Sequence, residues 1–325
     1  MKAKILVTRR LPDAAMELLN DNFDVEYNPH DRVLTGEELL QSVKAKDGIL
    51  PLLTDHIDAE VMDTAGPQLK VIANYAAGFN NIDVETATAR KIAVTNTPGV
   101  LTDTTADLAM GLLLAVARRL VEGDSYARAG RYQGWAPLLF LGADVHHKTL
   151  GLLGFGRVGF AVAKRAAGFD MRILYHDNCL AEPQMEKQVG AQCVDKESLL
   201  RESDFISIHV PLTPETRHLV GYRELSMMKP SAYLINTARG EIIDEKALVK
   251  ALQDKRIAGA ALDVFEHEPQ IHPALTTMHN VVILPHIGSA SIETRTKMGL
   301  MAAENLVAFF KGEVPPNCLN PEVLR

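Results

Sequence analysis

Cysteine is scarce in this chain, with 3 among 325 residues. Cys179, Cys193 and Cys318 have neither the paired spacing of a metal site nor the even count of a disulfide framework, so no metal is expected and a reducing cytoplasm fits best. Long apolar runs are missing as well. The longest, Leu112 to Ala117, is far shorter than the ~20 residues needed to cross a bilayer, which excludes a membrane span. The opening stretch, Met1 to Arg10, reads as a first strand and lacks the apolar core of a signal peptide. Basic stripes are absent: Lys164-Arg165 and Arg118-Arg119 are isolated pairs, and the net charge of −7 argues against a nucleic-acid partner. Aromatic residues make up only 6%, and Trp135 is the single tryptophan. What remains, 47% hydrophobic and 23% charged, is ordinary for a soluble globular protein long enough for two domains.

What is present is a glycine-rich turn in a telling context. Gly151-Leu152-Leu153-Gly154-Phe155-Gly156-Arg157-Val158-Gly159 follows a strand-like run, Lys148 to Leu153, and leads into a helical pattern, Ala161 to Ala167. Gly154 permits the tight turn, Gly156 lets backbone approach a diphosphate, and Gly159 lets the helix pack on its strand, with the helix N-terminus facing the anion. The next strand, Met171 to Tyr175, is followed by Asp177, 18 residues after the last glycine, Gly159. An acid there binds both ribose hydroxyls of NAD and disfavours the extra phosphate of NADP. Asn178, Cys179 and Leu180 supply no arginine to receive that phosphate. A surface turn with an incidental aspartate is the bland alternative. Strand, glycines, helix, strand and acid in order favour dinucleotide binding.

Short strands and helices alternate along the rest of the chain, which implies parallel sheets with helices on both faces. Strands are expected at Lys4–Val7, Asp24–Tyr27, Gly48–Pro51, Val71–Ala73 and Ala93–Thr95. Helices are expected at Asp13–Leu19, Glu37–Ser42, Asp58–Met62 and Val84–Arg90. After Pro98-Gly99, Thr102 or Asp103 is placed to cap a long helix, Thr104 to about Val121, apolar nearly all round and so buried. Residues 122–147 read as an irregular excursion carrying Trp135 and the apolar run Leu138 to Leu141, which suits a covering segment. A second series follows, with strands near Leu150–Leu153, Arg172–Tyr175, Ala191–Cys193, Phe205–His209, Tyr233–Asn236, Gly259–Leu262 and Val281–Leu284. Ser289–Lys311 returns to helix. Two α/β series with one helix left over imply one domain inserted into another, crossing near Pro98-Gly99 and Gly288-Ser289, with ligands in the cleft.

Three ionisable side chains follow strands in the second series. Arg239 closes Leu234 to Gly240, Glu268 follows the strand and turn Ala261 to His267, and His286 ends Val281 to Pro285. Carboxyl ends of strands border the ligand crevice of a doubly wound sheet, so these three can converge. With a hydride supplied by NAD, the protein must orient a carbonyl and manage one proton. An imidazole at 286 can donate that proton, and a carboxylate at 268 can hold its other nitrogen. A fork-shaped guanidinium at 239 can clamp a substrate carboxylate. Singly, each has a structural alternative: an ion pair, a turn residue, a satisfied histidine.

The blocks Asn236-Thr237-Ala238-Arg239-Gly240, Asp263-Val264-Phe265-Glu266 with Glu268-Pro269, and Pro285-His286-Ile287-Gly288-Ser289 together resemble the D-specific 2-hydroxyacid dehydrogenases, over almost the whole chain. The resemblance implies Arg239, Glu268 and His286 as the catalytic set. It also implies a doubly wound parallel-sheet α/β architecture in both domains. A Rossmann cofactor domain, 99–288, is inserted into a flavodoxin-like substrate domain, 1–98 plus 289–325. Cofactor contacts are implied at Thr105, Gly154, Gly156, Arg157, Val158, Gly159, Asp177, Val210, Pro211, Thr216, Thr237, Ala238, Asp263 and Gly288, with NAD as cofactor.

Val71 to Asp83 resembles the loop of glyoxylate and hydroxypyruvate reductases in which amides near Ala76, Ala77 and Gly78 receive a substrate carboxylate. Leu52 to Asp55, with Leu53, resembles the loop lining the same pocket, and Arg295 adds charge or a solvated face. The implied activity is reduction of a small 2-oxo acid to the D-2-hydroxy acid. The Trp135 segment resembles the part of these reductases that forms a homodimer through the cofactor domain. A D-lactate-type enzyme, a phosphite dehydrogenase and a nucleotide-sensing interaction protein are the rival readings. Alanine at 77, where phosphite dehydrogenases place lysine, weakens the second. The lack of long tails weakens the third. The stretch Pro269 to Leu275 is shorter than the family's usual connection.

Overall fold

A computed structural model describes residues 2–178 and 180–324, so Cys179 and the reading placed on it lie outside the described residues. In chain order the elements are β1 (Lys4–Val7), α1 (Asp13–Asn22), β2 (Asp24–Tyr27), α2 (Gly36–Ser42), β3 (Gly48–Leu50), α3 (Ala59–Ala65), β4 (Val71–Ala73), α4 (Val84–Ala89) and β5 (Ala93–Thr95). There follow α5 (Thr102–Ala117), α6 (Leu120–Arg128), β6 (Thr149–Leu153), α7 (Arg157–Ala167), β7 (Arg172–His176), α8 (Pro183–Val189), β8 (Ala191–Cys193), α9 (Lys196–Glu202) and β9 (Phe205–Ile208). The chain ends with α10 (Tyr222–Met227), β10 (Tyr233–Asn236), α11 (Glu245–Gln253), β11 (Gly259–Leu262), β12 (Val281–Ile283) and α12 (Ile292–Phe310).

These elements form two compact units, Met1–Leu101 with Ser289–Arg325, and Thr102–Gly288. In the first unit five parallel strands run in the order β2-β1-β3-β4-β5. The central strands β3 and β4 are buried at every residue, as parallel strands covered on both faces must be. Helices begin where short polar side chains satisfy the first amides: Asp58, Asp83 and Ser291 accept from Val61, Thr86 and Thr294. Helix α12 packs on α1 and β4, and Gly299 sits so close to Ala15 that a Cβ there would fall 2.7 Å from the Ala15 Cβ.

The second unit is a seven-stranded parallel sheet in the order β12-β11-β10-β9-β6-β7-β8. The strand order reverses between β6 and β9, where open α/β sheets place their ligands. Helix α5 lies against α7, β10 and β11, burying Ala106, Ala109, Met110, Leu113, Val116 and Ala117. Two details depart from the sequence reading of this region. Thr102 is the first residue of α5 rather than its cap, and the helix stops at Ala117. Arg119 then adopts a left-handed backbone, φ 55°, and a separate helix, α6, runs on into residues assigned to an irregular excursion. The Arg119–Glu122 ion pair at 2.6 Å holds that break.

Candidate active site

In the second unit the cofactor residues read from the sequence, Thr105 on α5 apart, follow the carboxyl ends of β6, β7, β9, β10, β11 and β12. Gly154 has φ 97°, and a side chain there would press within 2.7 Å of the His209 and Val210 backbone. At Gly159 a Cβ would lie 2.2 Å from the Gly154 carbonyl, so α7 rests directly on the turn. Gly156 differs, because nothing lies within 4 Å of where its Cβ would be. Its bare backbone is not needed for internal packing and leaves room for a ligand to approach. Arg157 and Val158 open α7 beside it.

Asp177 follows β7 directly, and one carboxylate oxygen accepts the Phe155 amide at 2.8 Å, anchoring the acid beneath the glycine turn. The hydroxyl of Thr237, after β10, is buried and has no hydrogen-bond partner among the described residues. A buried hydroxyl seldom stays unpaired without a ligand or water to meet it. The open backbone at Gly156, the placed acid and the orphaned hydroxyl all fit a dinucleotide. Other residues of the set have internal partners. Thr216 donates to the Pro211 carbonyl at 2.6 Å and shapes the turn after Val210, and Ala238 donates its amide to Asn236 at 3.0 Å.

The histidine is presented by a tightly specified turn. His286 has φ 55°, in the left-handed region that costs most side chains energy. Its amide donates to the Asp263 carbonyl at 2.9 Å, and the two oxygens of the Asp263 carboxylate accept the amides of Ile287 at 2.7 Å and Gly288 at 2.8 Å. The Thr105 hydroxyl on α5 donates to the Gly288 carbonyl at 3.1 Å. Thr105, Asp263 and Gly288 therefore hold the turn itself.

His286 Nδ1 lies 2.8 Å from Glu268 Oε2, while Glu268 Oε1 accepts the Phe265 amide at 3.0 Å. Burial works to raise the Glu268 carboxyl, but the His286 hydrogen bond and charge, the Phe265 amide and Arg239 together hold it below its usual value. Burial draws the Arg239 guanidinium down from the usual arginine value, opposed by the carboxylates of Glu268 and Glu241. The shortened connection after Pro269 still delivers Glu268 to the histidine. Two other histidines between Glu268 and His286 go elsewhere: His272 Nδ1 accepts the Ala274 amide at 3.2 Å, and His279 lies by α6.

In the first unit, Leu53 and the Ala76–Gly78 turn follow β3 and β4. Asn81 donates to the carbonyls of Leu52 and Asp55, at 3.1 and 3.2 Å, and so joins the two loops. Every carbonyl of the turn is held inward. Ala76 accepts the Thr97 amide at 2.9 Å, Ala77 the Asn96 side chain at 2.7 Å, and Gly78 the Asn74 side chain at 3.0 Å. The amides of Ala76, Ala77 and Gly78 meet no acceptor among the described residues, an arrangement suited to an anion. Asn74, Asn81 and Asn96 were not singled out by the sequence reading. For Asn74 and Asn96 the signal was an amide side chain at the end of an apolar strand, where a buried polar group must find partners. Arg295 is exposed in the first turn of α12, and its carbonyl accepts the Tyr75 hydroxyl at 2.7 Å. Burial pushes that hydroxyl up to about 12.

Among the described residues no group of three His, Cys, Asp or Glu is arranged to hold a metal ion, and no helix is long and apolar enough to cross a membrane.

Residues 110–288 match the family model described as the NAD binding domain of D-isomer specific 2-hydroxyacid dehydrogenases. A glyoxylate reductase of Thermococcus litoralis is 51% identical, covering 100% of this chain and 98% of its own. A crystal structure of a protein from Thermus thermophilus superposes with TM-score 0.90 at 47% identity, over 97% of this chain and 99% of that one. An NADPH-dependent glyoxylate/hydroxypyruvate reductase from Sinorhizobium meliloti, solved with NADP and malonate, gives 0.87 at 34% identity over 100% and 99%. The dinucleotide turn, the paired histidine and glutamate and these likenesses lead to one assignment: the chain belongs to the D-isomer-specific 2-hydroxyacid dehydrogenases, NAD(P)-dependent oxidoreductases of small 2-oxo and 2-hydroxy acids.

Proposed function

We propose that this protein reduces glyoxylate or hydroxypyruvate to the D-2-hydroxy acid, using NADH in preference to NADPH. The observation that carries the reading is the contact of His286 Nδ1 with Glu268 Oε2 at 2.8 Å, in the unit that bears the dinucleotide turn. A nicotinamide cofactor supplies the hydride when bound. His286, with Nδ1 held by Glu268, gives the proton on Nε2 to the carbonyl oxygen as it becomes an alkoxide. Glu268 fixes the ring and its tautomer. Arg239 pairs with the substrate carboxylate and polarises the neighbouring carbonyl. The outward amides of Ala76, Ala77 and Gly78 are suited to the same acid group, and side chains this small favour a two- or three-carbon acid. Leu53 supplies an apolar wall, and Arg295 draws anions. Asp177 takes the ribose hydroxyls and repels a 2′-phosphate, which supports NADH. The protein works as a homodimer through the second unit, in the cytoplasm.

A panel of glyoxylate, hydroxypyruvate and pyruvate with NADH and with NADPH tests this. Turnover of the first two with NADH, and much poorer use of NADPH, is expected. Equal use of NADPH would remove the role given to Asp177. In the same assay His286→Ala should slow reduction by roughly 10²- to 10⁴-fold with NADH binding nearly unchanged. Unaltered turnover would remove His286 as proton donor.

A further inference from the structure

Glu245 is the first residue of α11, next to the capping Asp244, and it is buried. A glutamate in a helix's first turn commonly stays in water and gains modestly from the helix dipole. This one reaches into a neighbouring loop. Its Oε2 accepts the Glu266 amide at 3.2 Å and its Oε1 accepts the His272 amide at 3.1 Å. Those two amides bracket the stretch that carries Glu268. Glu266 returns the contact, accepting the Glu245 amide on Oε2 at 3.1 Å, while its Oε1 meets His218 Nε2 at 2.6 Å. Beneath the loop Gly240, which follows Arg239, leaves no slack. A Cβ there would fall 1.9 Å from the Phe265 carbonyl carbon.

The stretch from Glu266 to His272 contains no helix and only one isolated bridge, between His267 and Gln270. Its position therefore depends on contacts with its neighbours. A carboxylate offering one oxygen to an amide at each end is a two-point restraint. Its removal leaves two amides without acceptors, and the loop must shift to satisfy them. The side chain displaced by that shift is Glu268, whose grip on His286 needs sub-ångström placement.

We propose that Glu245 is a positioning residue for proton transfer: by holding the Glu266 and His272 amides it fixes Glu268 against His286. The inference rests on the proposed roles of those two residues. A purely structural Glu245 would lower stability alike whether or not Glu268 is intact. A Glu245 that acts through Glu268 has nothing to act on once Glu268 is disabled.

The test is a double-mutant cycle of Glu245→Ala and Glu268→Gln, read as kcat for glyoxylate per NADH-binding site, with sites counted by NADH fluorescence titration. Glu245→Ala alone should lower kcat roughly 10- to 100-fold, leaving the KM for glyoxylate and the Kd for NADH within about twofold. In the Glu268→Gln background the same change should cost less than about threefold. Glu245→Gln, which keeps the shape and one acceptor oxygen, should restore part of the loss, and it carries the cycle if the alanine variant does not fold. Equal fold losses in both backgrounds, or an unchanged kcat, would overturn the inference alone. If Glu268→Gln itself kept full kcat, the acid–base reading and this inference would fall together.

Discussion

Glu268 is held in its charged form against the pull of its surroundings. Burial favours the neutral acid, yet the hydrogen bond and charge of His286, the Phe265 amide and Arg239 keep it below the ordinary glutamate value of 4.5. Asp263 nearby goes the other way, because burial pushes it up and the amides of Ile287 and Gly288 only partly oppose that. The two carboxyls thus divide their work, one restraining the turn and one answering the imidazole. The depressed value has a consequence for stability whose sign follows from linkage. A carboxylate whose folded value is lowered stabilises fully above its unfolded value and loses that contribution as pH falls through the folded one. The gap in urea midpoint between the wild type and Glu268→Gln should therefore hold steady from neutrality down to about pH 5.5, then narrow as the solution becomes more acid. A gap that widened towards acid would mean that Glu268 is stabilised as the neutral form.

At the scale of elements, the strands present their chemistry through loops that other side chains hold. Asn96, buried after β5, turns the Ala77 carbonyl inward through a 2.7 Å hydrogen bond, and Asn74 does the same for Gly78. Without Asn96 the Ala77 peptide can rotate and take its neighbouring amide out of line. Asn96→Ala should then raise the KM for glyoxylate roughly tenfold, equivalent to about 1.4 kcal/mol, while kcat at saturation and the Kd for NADH stay close to wild type. A fall in kcat with KM unchanged would count against an anion-binding turn. The contrast between Ala77 and Asn96 also explains what the sequence could disclose. The strands were legible because parallel β leaves continuous apolar runs, and their bounds agree with expectation to within a residue or so. The positions of Gly154, Asp177, Arg239, Glu268 and His286 beyond the ends of strands were legible from the same runs. Asn96 and Glu245 were not, since each bonds a backbone group distant in sequence, as Asn96 does Ala77 and Glu245 does His272. The break at Arg119 was hidden too, because the apolar pattern of α5 runs past the residue where the backbone turns left-handed.

At the scale of the whole molecule, the segment after α6 asks for a partner. Trp135 is 83% exposed and Leu138 79%, with Tyr132 and Leu141 also largely in solvent. Yet its far end is anchored: the Phe140 ring meets Tyr126 edge-on at 5.1 Å and lies under the Arg119 guanidinium at 5.0 Å. An apolar strip held in place at its base and bare along its length is what a covering surface requires, because exposed apolar side chains gain free energy only when something buries them. In the homodimer proposed above, a second copy of the chain meeting the same strip in reverse would bury it with closed two-fold symmetry. Sedimentation should give twice the chain mass at micromolar concentration. The pair Trp135→Glu and Leu138→Glu should give monomers whose circular dichroism is unchanged, since neither side chain belongs to a core cluster. Because both residues lie outside the second unit's cores, lost turnover in those monomers would show that catalysis needs the partner. Dimers that persist in the double variant would place the association on a different surface.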